Sequence, residues 1–185
     1  MNKICVFLAE GFEECEALIV VDILRRGNVQ VTTAAIGTEK TVTSSHNITL
    51  QADCLAQELD LQEYDGLFLP GGMPGTTHLA ESEFVQQAVQ QFAKQNKWVT
   101  AICAAPTILA QMDLLQGKKA ICHPGFHEKL TGAELCHQDY VHQDNILTGR
   151  AMGASIPFGL KLLELLEGKE TAQKVAQAIC YSWEQ

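Results

Sequence analysis

Short apolar runs rich in β-branched residues alternate along this chain with amphipathic stretches, and that alternation limits the fold more than any other feature. The strand-like runs are ICVFL from Ile4, VTTAA from Val31, GLFLP from Gly66 and WVTAI from Trp98. Amphipathic stretches follow at Glu13 to Arg26, Glu81 to Gln95 and Ala104 to Met112. Strands interleaved with helices in this way are the signature of parallel strands joined by crossover helices. The chain is expected to be an α/β protein with a mostly parallel sheet.

The first helix has acidic residues in its opening turn, Arg25 and Arg26 in its last, and Gly27 just beyond, matching dipole and C-cap preferences. Thr41 to Leu50 alternates polar and apolar residues without helical period, which predicts a β-hairpin beside the main sheet. After a strand at Lys119 to Cys122, Pro and Gly break up the segment from Pro124 to Asn145. It reads as a loop-rich excursion with a short strand around Tyr140 to His142. Ile146 to Thr148 is the next strand, and two closing helices at Ile156 to Leu166 and Glu170 to Ile179 are split by Gly168.

At 185 residues, with no composition break resembling a linker, residues 1–185 are read as a single domain. The apolar runs are too short or too interrupted to span a bilayer. The N-terminus passes directly into KICVFL, so neither a signal peptide nor a membrane is expected. A net charge of −9 argues against nucleic acid and anionic membranes, which need a basic footprint. Seven cysteines are an odd number with scattered spacings and no CxxC, so a disulfide framework is not expected and the cytoplasm is the expected compartment. Cys5, Cys122 and Cys180 lie in apolar runs and are read as core residues.

Open parallel sheets bind ligands beyond the carboxyl ends of their strands. Three unusual loops fall there: AEGFEECE after the first strand, PGGMPGTT after GLFLP, and CAAP after WVTAI. Cys103 directly follows a strand and precedes a helix, with small neighbours Ala101, Ala104 and Ala105. A thiol at a helix start faces the positive end of the dipole and free N–H groups, which predicts a lowered pKa and a reactive thiolate. The plainer alternative is a buried cysteine at a strand end.

Glu10, Glu13, Glu14 and Glu16 crowd the first loop. The first three suit a solvated helix start. Glu16 lies deeper, next to Ala17 and Leu18, where desolvation keeps a carboxyl protonated. A neutral carboxyl can donate to a thiolate, so one proton shared between Glu16 and Cys103 is the expected arrangement, with coupled titrations. The run Gly71-Gly72-Met73-Pro74-Gly75 has neither P-loop nor dinucleotide spacing. It reads either as a tight turn or as a loop whose Gly72 N–H joins that of Ala104 in facing an oxyanion.

Cys122, His123, His127, Cys136, His137 and His142 match no structural zinc spacing, and no metal is expected. His123 ends a strand beside the same crevice. His127, His137 and His142 are read as surface residues of the excursion.

AEGFEECEA with VDILRR, then YDGLFLPGGMPG, AICAAP, HP and FGLKLLELLEGKE occur in an order and spacing that resemble the ThiJ/PfpI superfamily, in the branch of the Parkinson-associated deglycase and bacterial YajL. The resemblance covers essentially the whole chain. It implies a flavodoxin-like three-layer sandwich, helices on both faces of a mostly parallel sheet, that forms a homodimer. It also implies Cys103 as nucleophile, Glu16 as its protonated partner, Gly72 (with Gly71 beside it) and Ala104 as oxyanion donors, His123 near the thiol and Arg26 near a dimer-side pocket. Two departures stand out: His46 where close relatives carry arginine, and Ala151-Met152-Gly153 in place of their Gly-Pro-Gly.

The resemblance further implies a cofactor-independent glyoxalase or deglycase acting on α-oxoaldehydes or their early protein adducts. Ala104 occupies the position of the histidine base in the peptidase branch, so a Cys-His protease mechanism is disfavoured. The rivals are a redox-sensing stress protein or holdase chaperone using Cys103 oxidation, and a hydrolase of an unknown small substrate, since one scaffold hosts many chemistries.

Overall fold

A computed structural model describes residues 1–183. In chain order it contains β1 (Lys3–Leu8), α1 (Glu14–Arg26), β2 (Gln30–Ala35), β3 (Thr41–Thr43), β4 (Thr49–Gln51), β5 (Cys54–Leu55) and β6 (Gly66–Leu69). There follow α2 (Gly75–Glu81), α3 (Glu83–Lys94), β7 (Trp98–Ile102), α4 (Pro106–Gln111), β8 (Lys119–Ala120), β9 (Glu134–Leu135), β10 (Tyr140–Gln143), β11 (Ile146–Gly149), α5 (Ser155–Glu167) and α6 (Lys169–Ala178). The main sheet runs β10-β11-β7-β6-β1-β2-β5. Only the edge pair β10 and β11 is antiparallel.

The period of two along each strand divides the core into two layers. From β1, Ile4, Val6 and Leu8 join Phe68, Ile102 and Leu147 against α1 and α5, where Val20, Ile23, Leu24, Phe158 and Leu162 are buried. Cys5 and Phe7 point the other way, with Leu67, Leu69 and Val99, against Leu79, Val85, Val89 and Phe92 of α2 and α3. This is the expected α/β sandwich with helices on both faces. From β2 the chain returns to place β6 on the far side of β1, so strand order reverses between β1 and β6. Sheets of this kind place their binding crevice at the carboxyl ends of the strands where the order reverses.

The hairpin is present as β3 and β4, paired Thr41 to Gln51, and Gly168 separates α5 from α6 as expected. Four local expectations are corrected. The loop expected after GLFLP holds a helix, α2, which starts at Gly75 because that glycine packs directly on the Phe12 backbone: an added Cβ would lie 2.6 Å from Phe12 N. The helix after Cys103 spans only Pro106–Gln111, since Cys103 to Ala105 form a turn. The strand expected to reach Cys122 ends at Ala120, where β9 stops pairing, so His123 does not end a strand. Cys180 is exposed at the end of α6, with a φ of 56°, whereas Cys5 and Cys122 are buried core residues.

Candidate active site

Three chain segments meet at the β1/β6 crevice, and each is held there by backbone hydrogen bonds. Cys103 follows β7 with a φ of 64°, in the left-handed region that L-residues other than Asn, Asp and Gly rarely adopt. The conformation is pinned from both sides: the Cys103 N–H donates to the Gly149 carbonyl at 3.0 Å, and its carbonyl accepts the His123 N–H at 2.8 Å. The side chain is thereby turned out of the sheet on a sharp strand-to-helix elbow. Ala104 and Ala105, both buried, leave room for it.

Two backbone donors, the N–H groups of Ala104 and Gly72, reach the Cys103 sulfur. Gly72 has a φ of 92°, and any Cβ there would lie 2.3 Å from Glu13 N. At Gly71 an added Cβ would lie 2.6 Å from both Cys103 Cβ and Glu16 Oε2. The two glycines thus let this backbone pass between the thiol and the first helix.

Glu16 sits in the opening turn of α1, only 1% exposed, and its carboxyl is hydrogen-bonded to Cys103. Its Oε2 accepts the Gly71 N–H at 2.9 Å, and the Met152 N–H also points to this carboxyl. Burial lifts the Glu16 pKa to about 7, assisted by the nearby Glu13 charge and opposed by hydrogen bonds from Cys103, Gly71 and Met152. Burial also pushes the Cys103 thiol up, and the charge of Glu16 adds to the push, while the Ala104 and Gly72 N–H groups pull it down. The expectation that a helix start would lower this thiol is corrected. A buried site with a carboxylate beside the sulfur outweighs the donors, and a six-residue helix beginning three residues later supplies little dipole. Two anions in contact repel, so a thiolate here requires Glu16 to hold the proton.

The other site candidates are placed differently, and Arg26 lies away from this centre. His123 touches Cys103 through its backbone; its Nδ1 accepts the Gly125 N–H at 3.1 Å and its ring stands edge-on to Phe126. Arg26 lies at the far end of α1, 2.6 Å from Asp22, on the margin of a surface groove of about 480 Å³ lined by Leu18, Ile23, Ile156 and Ile179. His46, in the β3–β4 turn, places Nδ1 3.0 Å from Glu14 Oε1. Glu14 is consequently buried rather than solvated. Burial opposes its charge, but its backbone hydrogen bond, His46 and Ser44 hold its carboxyl below the usual range.

Sequence reasoning missed the Glu14–His46 contact, the donor at Met152 and the clamp from Gly149. The partners in each pair are distant along the chain, and only the crowding of four glutamates in the loop hinted at the first. Of the histidine and cysteine group in the excursion, His127 and His137 come together, with ring centroids 6.1 Å apart. Among the described residues, the group of three whose atoms converge closely enough for a metal ion is instead Glu13, Glu14 and His46.

The model of the DJ-1/PfpI family matches residues 2–165. Protein DJ-1 homolog B of Arabidopsis thaliana is 34% identical over 95% of this chain, although the chain spans only 40% of that longer protein. A Schizosaccharomyces pombe protein named glutathione-independent glyoxalase DJ-1 is 31% identical, the match covering 97% of this chain and 98% of the yeast protein. The structure of oxidized Toxoplasma gondii DJ-1 superposes with a TM-score of 0.95 at 32% identity, covering 99% of this chain and all of that one. By sequence and by fold, this chain belongs to the DJ-1/PfpI family.

Proposed function

We propose that this protein is a cofactor-independent glyoxalase- or deglycase-type enzyme, with Cys103 as nucleophile, acting on α-oxoaldehydes or their early adducts with protein side chains. The observation that carries the reading is the pairing of Cys103 with a buried Glu16 under two backbone N–H groups aimed at the sulfur. The name of the Schizosaccharomyces pombe relative supports the substrate class.

In this reading the thiolate attacks the aldehyde carbon of methylglyoxal while Glu16 holds the shared proton. A C–S bond forms, the carbonyl oxygen becomes an alkoxide, and the N–H groups of Gly72 and Ala104 turn from sulfur to that oxygen. Glu16 gives its proton to the alkoxide, leaving a hemithioacetal and a Glu16 carboxylate. Glu16 then removes the proton from the former aldehyde carbon and returns one to the adjacent carbon. The first carbon is oxidised to a thioester as the second is reduced to an alcohol, so no external oxidant or cofactor is needed. Water cleaves the thioester, releasing lactate and regenerating the thiol. His123, whose backbone N–H bonds the Cys103 carbonyl, is the histidine we assign to assist the proton transfers.

The test is lactate formation from methylglyoxal by purified protein in an amine-free buffer. Cys103→Ser is expected to abolish it, and Glu16→Gln to slow it about 100-fold or more, the usual range for a lost acid–base group. Unchanged rates in either variant reject the scheme.

A second reading, a redox sensor, is favoured by the oxidized state of the Toxoplasma gondii relative. Here the thiolate consumes two equivalents of peroxide, giving a sulfinate and two waters, and a protonated Glu16 donates to a sulfinate oxygen. Selective sulfinate at Cys103 under mild peroxide, with negligible aldehyde turnover, would support it over the enzyme. In either reading we place the protein in a reducing, cytoplasmic setting, since all seven cysteines are free and no described helix is long and apolar enough to cross a membrane. We also propose a homodimer, paired through the α1 groove beside Arg26.

A further inference from the structure

A closed ring of hydrogen bonds joins the start of α1 to the glycine loop. The Glu13 N–H donates to the Gly71 carbonyl at 2.9 Å, the Gly71 N–H donates to Glu16 Oε2 at 2.9 Å, and the Glu16 N–H donates to Glu13 Oε2 at 2.6 Å. Glu13 therefore closes the ring twice, once by its backbone and once by its carboxylate. The carboxylate is also the N-cap of α1. Glutamate is not among the favoured N-cap residues, which are Ser, Thr, Asp and Asn. Helix capping alone gives no reason for a glutamate in this place.

We propose that Glu13 is a positioning residue for the Cys103–Glu16 pair: its carboxylate fixes the first turn of α1 against Gly71 and biases the shared proton toward Glu16. This rests on the reading of Cys103 and Glu16 given above. The physical reason is distance. The Glu13 carboxylate accepts the Glu16 backbone N–H at 2.6 Å, so its negative charge sits at the foot of the Glu16 side chain and opposes an anion there. The Glu13 charge is among the influences that raise the Glu16 pKa.

Around the pair, Glu13 at the N-cap of α1 supplies a charge, while the glycine loop and the Met152 segment contribute backbone. Glu14 and His46 pair with each other, and their polar atoms lie within 4.8 Å of the Glu13 carboxylate, so they share its surroundings in every variant.

The test is the pH profile of Cys103 alkylation by iodoacetamide, followed by mass spectrometry of the intact protein, in wild type, Glu13→Asn, Glu13→Gln and Cys103→Ala. Asparagine is a good N-cap without charge, so Glu13→Asn should melt at or above the wild-type temperature. The midpoint of its alkylation profile should nonetheless move upward, with a rate at neutral pH about 3- to 10-fold lower. Glu13→Gln, which keeps the length but loses the charge, should shift the midpoint the same way. A wild-type profile in both neutral variants overturns the proposal while leaving the Cys103–Glu16 reading intact. A wild-type profile indistinguishable from free cysteine, or a rate unaffected by Cys103→Ala, overturns both.

Discussion

Cys103 is held in a left-handed conformation that costs on the order of 1 kcal/mol or more for a residue with a Cβ, and its hydrogen bonds to the Gly149 carbonyl and from the His123 N–H hold it there. Glu16 carries a second cost. Its pKa is about 7 in the folded protein against an ordinary 4.5. Between those two values the folded chain keeps the proton that the unfolded chain has already released. Stability therefore falls as pH rises through this window, by about 3 kcal/mol for the full shift, and levels off above it. Glu16→Gln removes this dependence. Urea unfolding of wild type and variant should show the stability difference moving toward the variant by about that amount between pH 4.5 and pH 8. A difference independent of pH would mean that Glu16 ionises normally.

At the scale of elements, the sandwich was legible because strand and helix periods are strong signals and the caps agree with them, as Arg25, Arg26 and Gly27 do at the end of α1. What was not legible follows from tertiary packing. Helix α2 hides behind the Gly71-Gly72-Met73-Pro74-Gly75 run, whose local preference is a turn, and its start is set by contact with Phe12, more than sixty residues earlier. The site pair was legible as two residue types at strand ends, but the balance of burial, charge and N–H donors around the sulfur is a property of three loops together. The α1–α5 contact gives a separate prediction. An alanine Cβ at Gly27 would lie 2.2 and 2.7 Å from the two methyl carbons of Leu163, at an ordinary φ of −84°. Gly27→Ala should cost about 1–3 kcal/mol by overpacking, seen as a lower denaturant midpoint, with Cys103 alkylation unchanged. A neutral effect would show that Leu163 has space to yield.

Over the whole molecule, the parallel sheet brings loops separated by nearly ninety residues to one crevice, and the same helix that delivers Glu16 presents its outer side to the surface. There Leu18 is 43% exposed beside Ile19, Ile156 and Ile179, in the groove bounded by the Asp22–Arg26 pair. Apolar side chains gathered on one face suit a contact with a second copy. Sedimentation at micromolar concentration should give a dimer for wild type and a monomer for Leu18→Glu; a monomeric wild type would remove the dimer from the account. The central claim concerns one proton, and it is tested most directly by titrating thiolate absorbance in wild type with Cys103→Ser as the reference. The account predicts a Cys103 step above the value of about 8.5 for free cysteine that falls when Glu16→Gln removes the neighbouring charge, because burial and the Glu16 carboxylate oppose a second anion on sulfur. A step that Glu16→Gln leaves in place would show two independent groups and contradict it.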